Sequence, residues 1–169
     1  ATINTATIVA ALEAGSSVTV TTASAGTNSQ PGTITMQGNL NLGSGSSTSP
    51  VGLTLRAARH IDLDHVNITS SSVPLNVTLT AGTGGAGGVK IIGSTISTSG
   101  NISVGGPSTA CGTAGCSFFF NDTATTESGR GFGIAITGSA LSASRLTLRG
   151  ASGAAAEVHG GVRGDSSSR

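Results

Sequence analysis

Residues 60–65, His-Ile-Asp-Leu-Asp-His, are the densest group of side chains in this sequence that could do chemistry. In an extended strand, successive side chains alternate between two faces, so His60, Asp62 and Asp64 share one face and the two aliphatic residues share the other. Carboxylate oxygens bind Ca²⁺ in proteins, and imidazole together with carboxylate binds Zn²⁺. The cluster is therefore the first candidate for a metal site or an acid–base site.

Both candidate chemistries need partners from neighbouring strands. A β-helical polysaccharide lyase, for example, needs acidic and basic residues that converge from adjacent turns of the chain. The neighbouring segments offer mostly Thr, Ser and Asn, with Lys90 and Arg56 as the nearby cations. We therefore predict a solvated outer face on which Asp62 and Asp64 pair loosely with Arg56 or Arg59. We predict no metal site, no cofactor and no catalytic residue.

The tail contains a candidate cell-attachment site, the tripeptide Arg163-Gly164-Asp165. It lies in a Gly- and Ser-rich segment, of which we expect residues 164–169 to fray. A loop of this kind can present a guanidinium and a carboxylate to an integrin and its metal ion. The tripeptide is therefore a hypothesis for host-cell recognition.

The segment 111–130 departs from the pattern on both sides of it and contains both cysteines and three of the four phenylalanines. Cys111 and Cys116 are candidates for a short-loop disulfide in an oxidising compartment. Residues 118–127 resemble the conceptual translation of a widely used short-read sequencing adapter. We therefore interpret 111–130 as a non-native insertion. The alternative is a genuine loop with an exposed phenylalanine patch.

Two further motifs have simpler interpretations. Residues 81–88, AGTGGAGG, are not a phosphate-binding loop, because no Gly-Lys-Ser/Thr follows and the next element is a strand. Four sites fit the N-glycosylation pattern, which the alternation of Asn, an aliphatic residue and Thr or Ser also produces in any polar strand. Their asparagines are Asn67, Asn76, Asn101 and Asn121.

Composition narrows the class of protein. The chain has 169 residues with 27 Gly, 9% charged residues, and no Trp or Tyr. Its core must therefore come from Val, Ile, Leu and Ala. The net charge of +1 gives no electrostatic footprint for nucleic acid or an anionic membrane. No apolar run is long enough for a membrane helix, and no signal peptide is visible. The sequence starts within its own pattern, which indicates a fragment of a longer protein.

One helix is predicted, over residues 5–14. Asn4 or Thr5 can cap its start, and Gly15 stands where a left-handed residue ends many helices. Ile8, Ala11 and Leu12 form its apolar face. With barely three turns, the helix must dock on strands to be stable.

Short strands account for the rest of the chain, the first two at residues 17–22 and 32–38. A triplet of the form apolar–Thr/Ser–apolar recurs, and from Leu53 onward its spacing is 24 to 25 residues and then 44. The triplets begin at Val18, Ile34, Leu53, Val77, Ile102 and Leu146. A second alternation lies between them, at Ile61–Leu63, Val89–Ile91 and Ile134–Ile136, with a weak copy near Val158.

Repeats of this length are typical of stacked architectures. Each turn of the chain would add one parallel strand to each of several sheets, with aliphatics inside and a ladder of threonine hydroxyls outside. The predicted fold is an all-β, right-handed parallel β-helix (solenoid) with a short N-terminal helix, spanning residues 1–169. An antiparallel sandwich is the rival, but the Asn-Gly and Asp-Gly turns of hairpins are absent.

Several segments resemble the repeat region of filamentous haemagglutinin-type exoproteins of bacterial two-partner secretion systems. The strings LTLRAARHIDL (53–63) and PLNVTL (74–79) are the most specific, and residues 1–26, 51–82 and 133–150 are similar to that region. The resemblance implies a β-helical filament, an outer-membrane secretion pore as partner, and adhesion to a host-cell receptor or glycan.

We therefore expect a non-enzymatic shaft fragment of a secreted adhesin displayed on the bacterial cell surface. The resemblance leaves a second function open, the rod of a contact-dependent growth-inhibition toxin delivery protein, whose toxin would lie at a distant C-terminus. A carbohydrate-active β-helix is the alternative from the enzyme class.

Overall fold

The computed structural model describes residues 4–22, 32–83, 88–105, 132–149 and 155–159. They form one helix, α1 (Thr5–Glu13), and fourteen strands. In chain order the strands are β1 (Val18–Thr21), β2 (Ile34–Met36), β3 (Leu40–Leu42), β4 (Val51–Arg56), β5 (Ile61–Asp64), β6 (Asn67–Ser70), β7 (Leu75–Thr80), β8 (Val89–Ile92), β9 (Thr95–Ser97), β10 (Asn101–Gly105), β11 (Phe132–Thr137), β12 (Ala140–Ser142), β13 (Arg145–Arg149) and β14 (Ala155–His159).

The strands form three sheets. Sheet A has the order β1-β4-β7-β10-β13, sheet B has β2-β5-β8-β11-β14, and sheet C has β3-β6-β9-β12. The chain visits A, B and C in that order and then returns to A, so each passage through the three sheets is one circuit. Every pairing between described strands is parallel. The predicted all-β fold of parallel strands with a short helix is confirmed, and the antiparallel alternative is wrong for these strands.

The register of sheet A stacks the predicted triplets directly above one another. Val18, Leu53, Val77, Ile102 and Leu146 are successive partners across its five strands. The members from the middle circuits are at most 1% exposed. Their outward neighbours are Thr19, Thr54, Thr78, Ser103 and Thr147, so the predicted hydroxyl ladder is present.

One triplet belongs elsewhere. Ile34-Thr35-Met36 pairs with Ile61-Asp62-Leu63 in sheet B, not with the triplets of sheet A. Its strand is also shorter than the predicted 32–38, and β1 is shorter than 17–22. The resemblance between triplets conceals this difference, because inward positions of both sheets need the same alternation of aliphatic and polar residues.

The strands of sheet C do not show the apolar–Thr/Ser–apolar triplet that predicts sheet A. Sheet C stacks Leu40, Ile68, Ile96 and Leu141, all at most 1% exposed. Strands β6 and β9 have a single buried aliphatic between two polar residues, and β12 has one between Ala140 and Ser142, so no pair of large apolar residues marks these three. The sequence does contain a signal for this sheet, the similarity of residues 91–100 (IIGSTISTSG) to residues 136–145 (ITGSALSASR).

Helix α1 forms as predicted. The Asn4 side chain accepts a hydrogen bond from the Ala6 N–H (2.9 Å), and Gly15 follows the helix with φ +88°. Ile8 and Leu12 are buried, and the helix packs mainly on β3. The Glu13 carboxylate accepts from the N–H groups of Gly43 (3.1 Å) and Ser44 (3.0 Å). The helix thus covers the first circuit, where edge strands would otherwise be open.

Candidate functional site: the outer face of sheet B

The predicted charged face is formed by β5. Its burial alternates as predicted, with Ile61 and Leu63 buried, Asp62 half-buried and Asp64 exposed. The turn before β5 positions His60 on the outward side, where its Nδ1 accepts a hydrogen bond from the Gly88 N–H (3.2 Å). Strand β5 thus carries Asp62 and Asp64 on its outer face, with His60 directly before it.

The environment of His60 favours its neutral form. Burial, together with the positive charge of Arg59, lowers the pKa of His60 below its ordinary value of 6.5, while the charge of Asp62 acts in the opposite direction. Acceptance of the Gly88 N–H at Nδ1 is consistent with this, because a protonated imidazole has no acceptor.

Asp62 lies in register between a hydroxyl and an ammonium group. Its partners on the adjacent strands are Thr35 in β2 and Lys90 in β8. Its Oδ1 atom is buried and makes no hydrogen bond. No second carboxylate approaches from these positions, and the described residues contain no group of three His, Cys, Asp or Glu side chains that could hold a metal ion.

Asp64 contacts a histidine and not an arginine. Its Oδ1 lies beside Nδ1 of His65, and both side chains are more than half exposed. The predicted pairing of Asp62 and Asp64 with Arg56 or Arg59 is therefore wrong for the described part of the chain. The tight turn after β5 gives the reason, because it brings the neighbouring imidazole to Asp64.

The turn after β5 is repeated in the next two circuits. His65, Gly93 and Gly138 have nearly the same φ, at 51°, 53° and 55°. Buried serines follow the two glycines: the Ser94 hydroxyl accepts from the Val66 N–H (3.1 Å), and the Ser139 hydroxyl accepts from the Ser94 N–H (3.1 Å). These serines join the turns of successive circuits. No motif in the sequence marks them, because isolated Gly-Ser pairs are common throughout this chain.

Sheets A and C present mainly uncharged outer faces. On sheet C, the Thr69 hydroxyl donates to Asn41 Oδ1 (2.7 Å), and Asn39 Oδ1 accepts from the Asn67 N–H (2.8 Å). On sheet A, Asn76 Oδ1 accepts from the Asn101 N–H (2.9 Å). Of the described glycosylation-pattern asparagines, Asn67 and Asn101 are exposed, whereas Asn76 is half-buried.

Several predicted sites lie outside the described residues. They are the cell-attachment tripeptide Arg163-Gly164-Asp165, the cysteines Cys111 and Cys116, and Asn121. Residues 84–87 of the Gly-rich segment 81–88 also lie there. The two ends of the segment are described, and the Thr83 hydroxyl donates to the Ala57 carbonyl (3.1 Å).

Comparisons with protein-family models, curated proteins and solved structures found no match to this chain. Within the described residues, no helix is long and apolar enough to cross a membrane.

Proposed function

We propose that this chain is a right-handed parallel β-helix from the shaft of a secreted, surface-displayed bacterial adhesin. The observation that carries the proposal is the single register in which sheet A stacks its five strands, with the column of aliphatics from Val18 to Leu146 on its inner side. A column of this kind extends in one direction only, because each circuit contacts its neighbours above and below.

The composition of the outer faces supports a binding role. Each circuit adds about 4.8 Å along the stack, so a longer array of the same circuits makes a long rod with a repeating surface. The hydroxyl ladder from Thr19 to Thr147 and the asparagine and threonine side chains of sheet C offer hydrogen-bonding groups with little charge. A host-cell receptor or glycan is the partner that such a surface suits, and an outer-membrane pore would export the rod.

Attachment of coated beads to cells tests the proposal. The full chain is coupled to fluorescent microspheres, and their retention on epithelial monolayers is compared with that of albumin-coated microspheres. An adhesin gives retention several-fold above the albumin control. Retention equal to that control would contradict the proposal.

A conservative variant shows whether the tail tripeptide or the outer faces of the sheets carry the attachment. Asp165→Glu retains the charge of the Arg-Gly-Asp tripeptide but lengthens the side chain, so an integrin metal site no longer accepts it. If the tail carries attachment, this variant falls to the albumin level. If the outer faces carry it, the variant attaches like the natural chain. Ultraviolet absorbance of unsaturated products during incubation with polygalacturonate would instead favour the carbohydrate-active alternative.

A further inference from the structure

The connections between sheets A and B differ greatly in length. Register-matched residues define the end of each strand in sheet A and the start of the next strand in sheet B. Counted between these points, the five circuits have 12, 4, 8, 28 and 6 connecting residues. The fourth circuit, between Gly105 and Ile134, is therefore the outlier.

The connections between sheets B and C are nearly constant by comparison. Counted in the same way, circuits two, three and four each have 2 connecting residues there, 65–66, 93–94 and 138–139. The left-handed residue and the buried serines of this corner explain the constancy, because they need a defined chain length. The connections between sheets C and A vary less than those between A and B, with 8 residues at 43–50 and 4 at 71–74. Insertions in stacked repeats typically lie in loops on one side.

The long connection leaves the register on both sides unchanged. Before it, β10 pairs with β7 and β13; after it, β11 pairs with β8. We propose that the corner between sheets A and B is the insertion point of this fold, and that residues 111–130 are a 20-residue insertion into the fourth circuit. Their removal leaves 8 connecting residues, as many as the third circuit has between Thr80 and Val89.

The inference does not depend on the proposed function. It follows from the length of the chain between paired strands and from the small entropic cost of lengthening a loop, which grows only with the logarithm of its length. The same corner in the second circuit closes with 4 residues, 57–60, so the two sheets can be joined without any extra segment.

Three variants of the full chain test this inference. The first lacks residues 111–130, and the second replaces them with twenty Gly and Ser residues. The third, a control of equal length, lacks residues 61–80, which include β5, β6 and β7. We expect the first two to retain the far-ultraviolet circular dichroism of the natural chain and to unfold within about 5 °C of it. The control should lose the β-sheet signal.

Either of two outcomes would overturn the inference. Unfolding of both test variants would mean that residues 111–130 contribute to the stack. Unfolding of the deletion alone would mean that this corner of the fourth circuit needs its length, so the segment is integral and not inserted. Nuclear magnetic resonance shifts of β10 and β11 residues in the deletion variant distinguish an unchanged register from a rearranged one.

Discussion

The imidazole of His65 covers the Cα atom of Gly93 in the next circuit. A Cβ atom built on Gly93 would lie 2.7 Å from Nε2 of His65, closer than side chains approach one another. Both residues have the left-handed backbone of the turn between sheets B and C, and Gly138 in the following circuit has it too. The left-handed backbone and the neighbouring ring thus both favour glycine at 93, whereas at 138 only the backbone does.

Alanine substitutions at the two glycines separate these requirements. Gly138→Ala places its Cβ in open space. Its unfolding free energy should therefore fall only by the cost of a left-handed backbone at a residue with a side chain, about 1–2 kcal/mol. The unfolding free energy of Gly93→Ala should fall by that amount and by about a further 0.5–1 kcal/mol, because the exposed His65 ring must turn away. Urea denaturation of each variant measures the difference.

A second background shows whether His65 causes that difference. In a His65→Gly chain, the two alanine substitutions should have equal costs, since no ring lies over position 93. A difference that persists in this background would mean that the contact with His65 is not its cause.

The buried serines Ser94 and Ser139, here called the buried serine ladder, link the turns of successive circuits through their hydroxyls. Removal of the Ser94 hydroxyl should therefore lower the unfolding free energy. Ser94 is 1% exposed, and its hydroxyl accepts from the Val66 N–H. Its single proton lies within reach of two carbonyls, those of Ile92 (2.9 Å) and Leu63 (3.2 Å). Ser94→Ala leaves the buried Val66 N–H without its acceptor, so it should destabilise the chain by about 1–3 kcal/mol. Chemical denaturation measures this loss.

The matched control is Ser97→Ala, three residues further along and half-buried on the outer side. It should change the unfolding free energy by less than about 0.5 kcal/mol. Equal losses for the two variants would refute the role of the ladder.

Local alternation was sufficient to predict most of the fold. The triplets at Leu53, Val77 and Ile102 have strict period-two burial and similar spacing, so their stacking follows from the sequence. Helix α1 also follows, because a cap at Asn4 and a glycine at 15 mark both of its ends. These signals are local, and local geometry satisfies them.

The sequence was insufficient where distant segments determine the neighbours of a residue. Assignment of Ile34 to sheet B depends on the length of the preceding connection, which alternation does not reveal. The contact of Asp64 with His65 depends on a left-handed backbone at His65, a conformation that is uncommon for any residue other than glycine. The faces of the charged cluster were predictable, but its partners were not.

The hydrogen bonds that Glu13 of α1 accepts from the first circuit can be tested by substitution. Its Oε1 accepts from the N–H groups of Gly43 and Ser44. Glu13→Gln retains the reach but loses the charge, and should cost about 0.5 kcal/mol. Glu13→Ala loses both bonds and should cost about 1 kcal/mol, a modest value because water can reach these groups. Glu13→Asp should resemble alanine, because it is one methylene shorter; an aspartate as stable as the natural chain would contradict the assigned contact. Thermal unfolding compares all three.

The lowered pKa of His60 predicts that acid destabilises the fold. The folded state binds a proton at His60 less readily than the unfolded state, whose pKa is near 6.5. The unfolded chain therefore binds more protons in this range, and stability rises with pH.

His60 contributes its stability in full above pH 6.5, and the contribution is lost as the pH falls toward the folded-state pKa. Protonation would also remove the acceptor that Nδ1 offers to the Gly88 N–H. Urea denaturation between pH 7.5 and about 5 should thus show a steeper loss for the natural chain than for His60→Gln, which has no imidazole at this position. Parallel curves for the two proteins would show that His60 does not make this contribution.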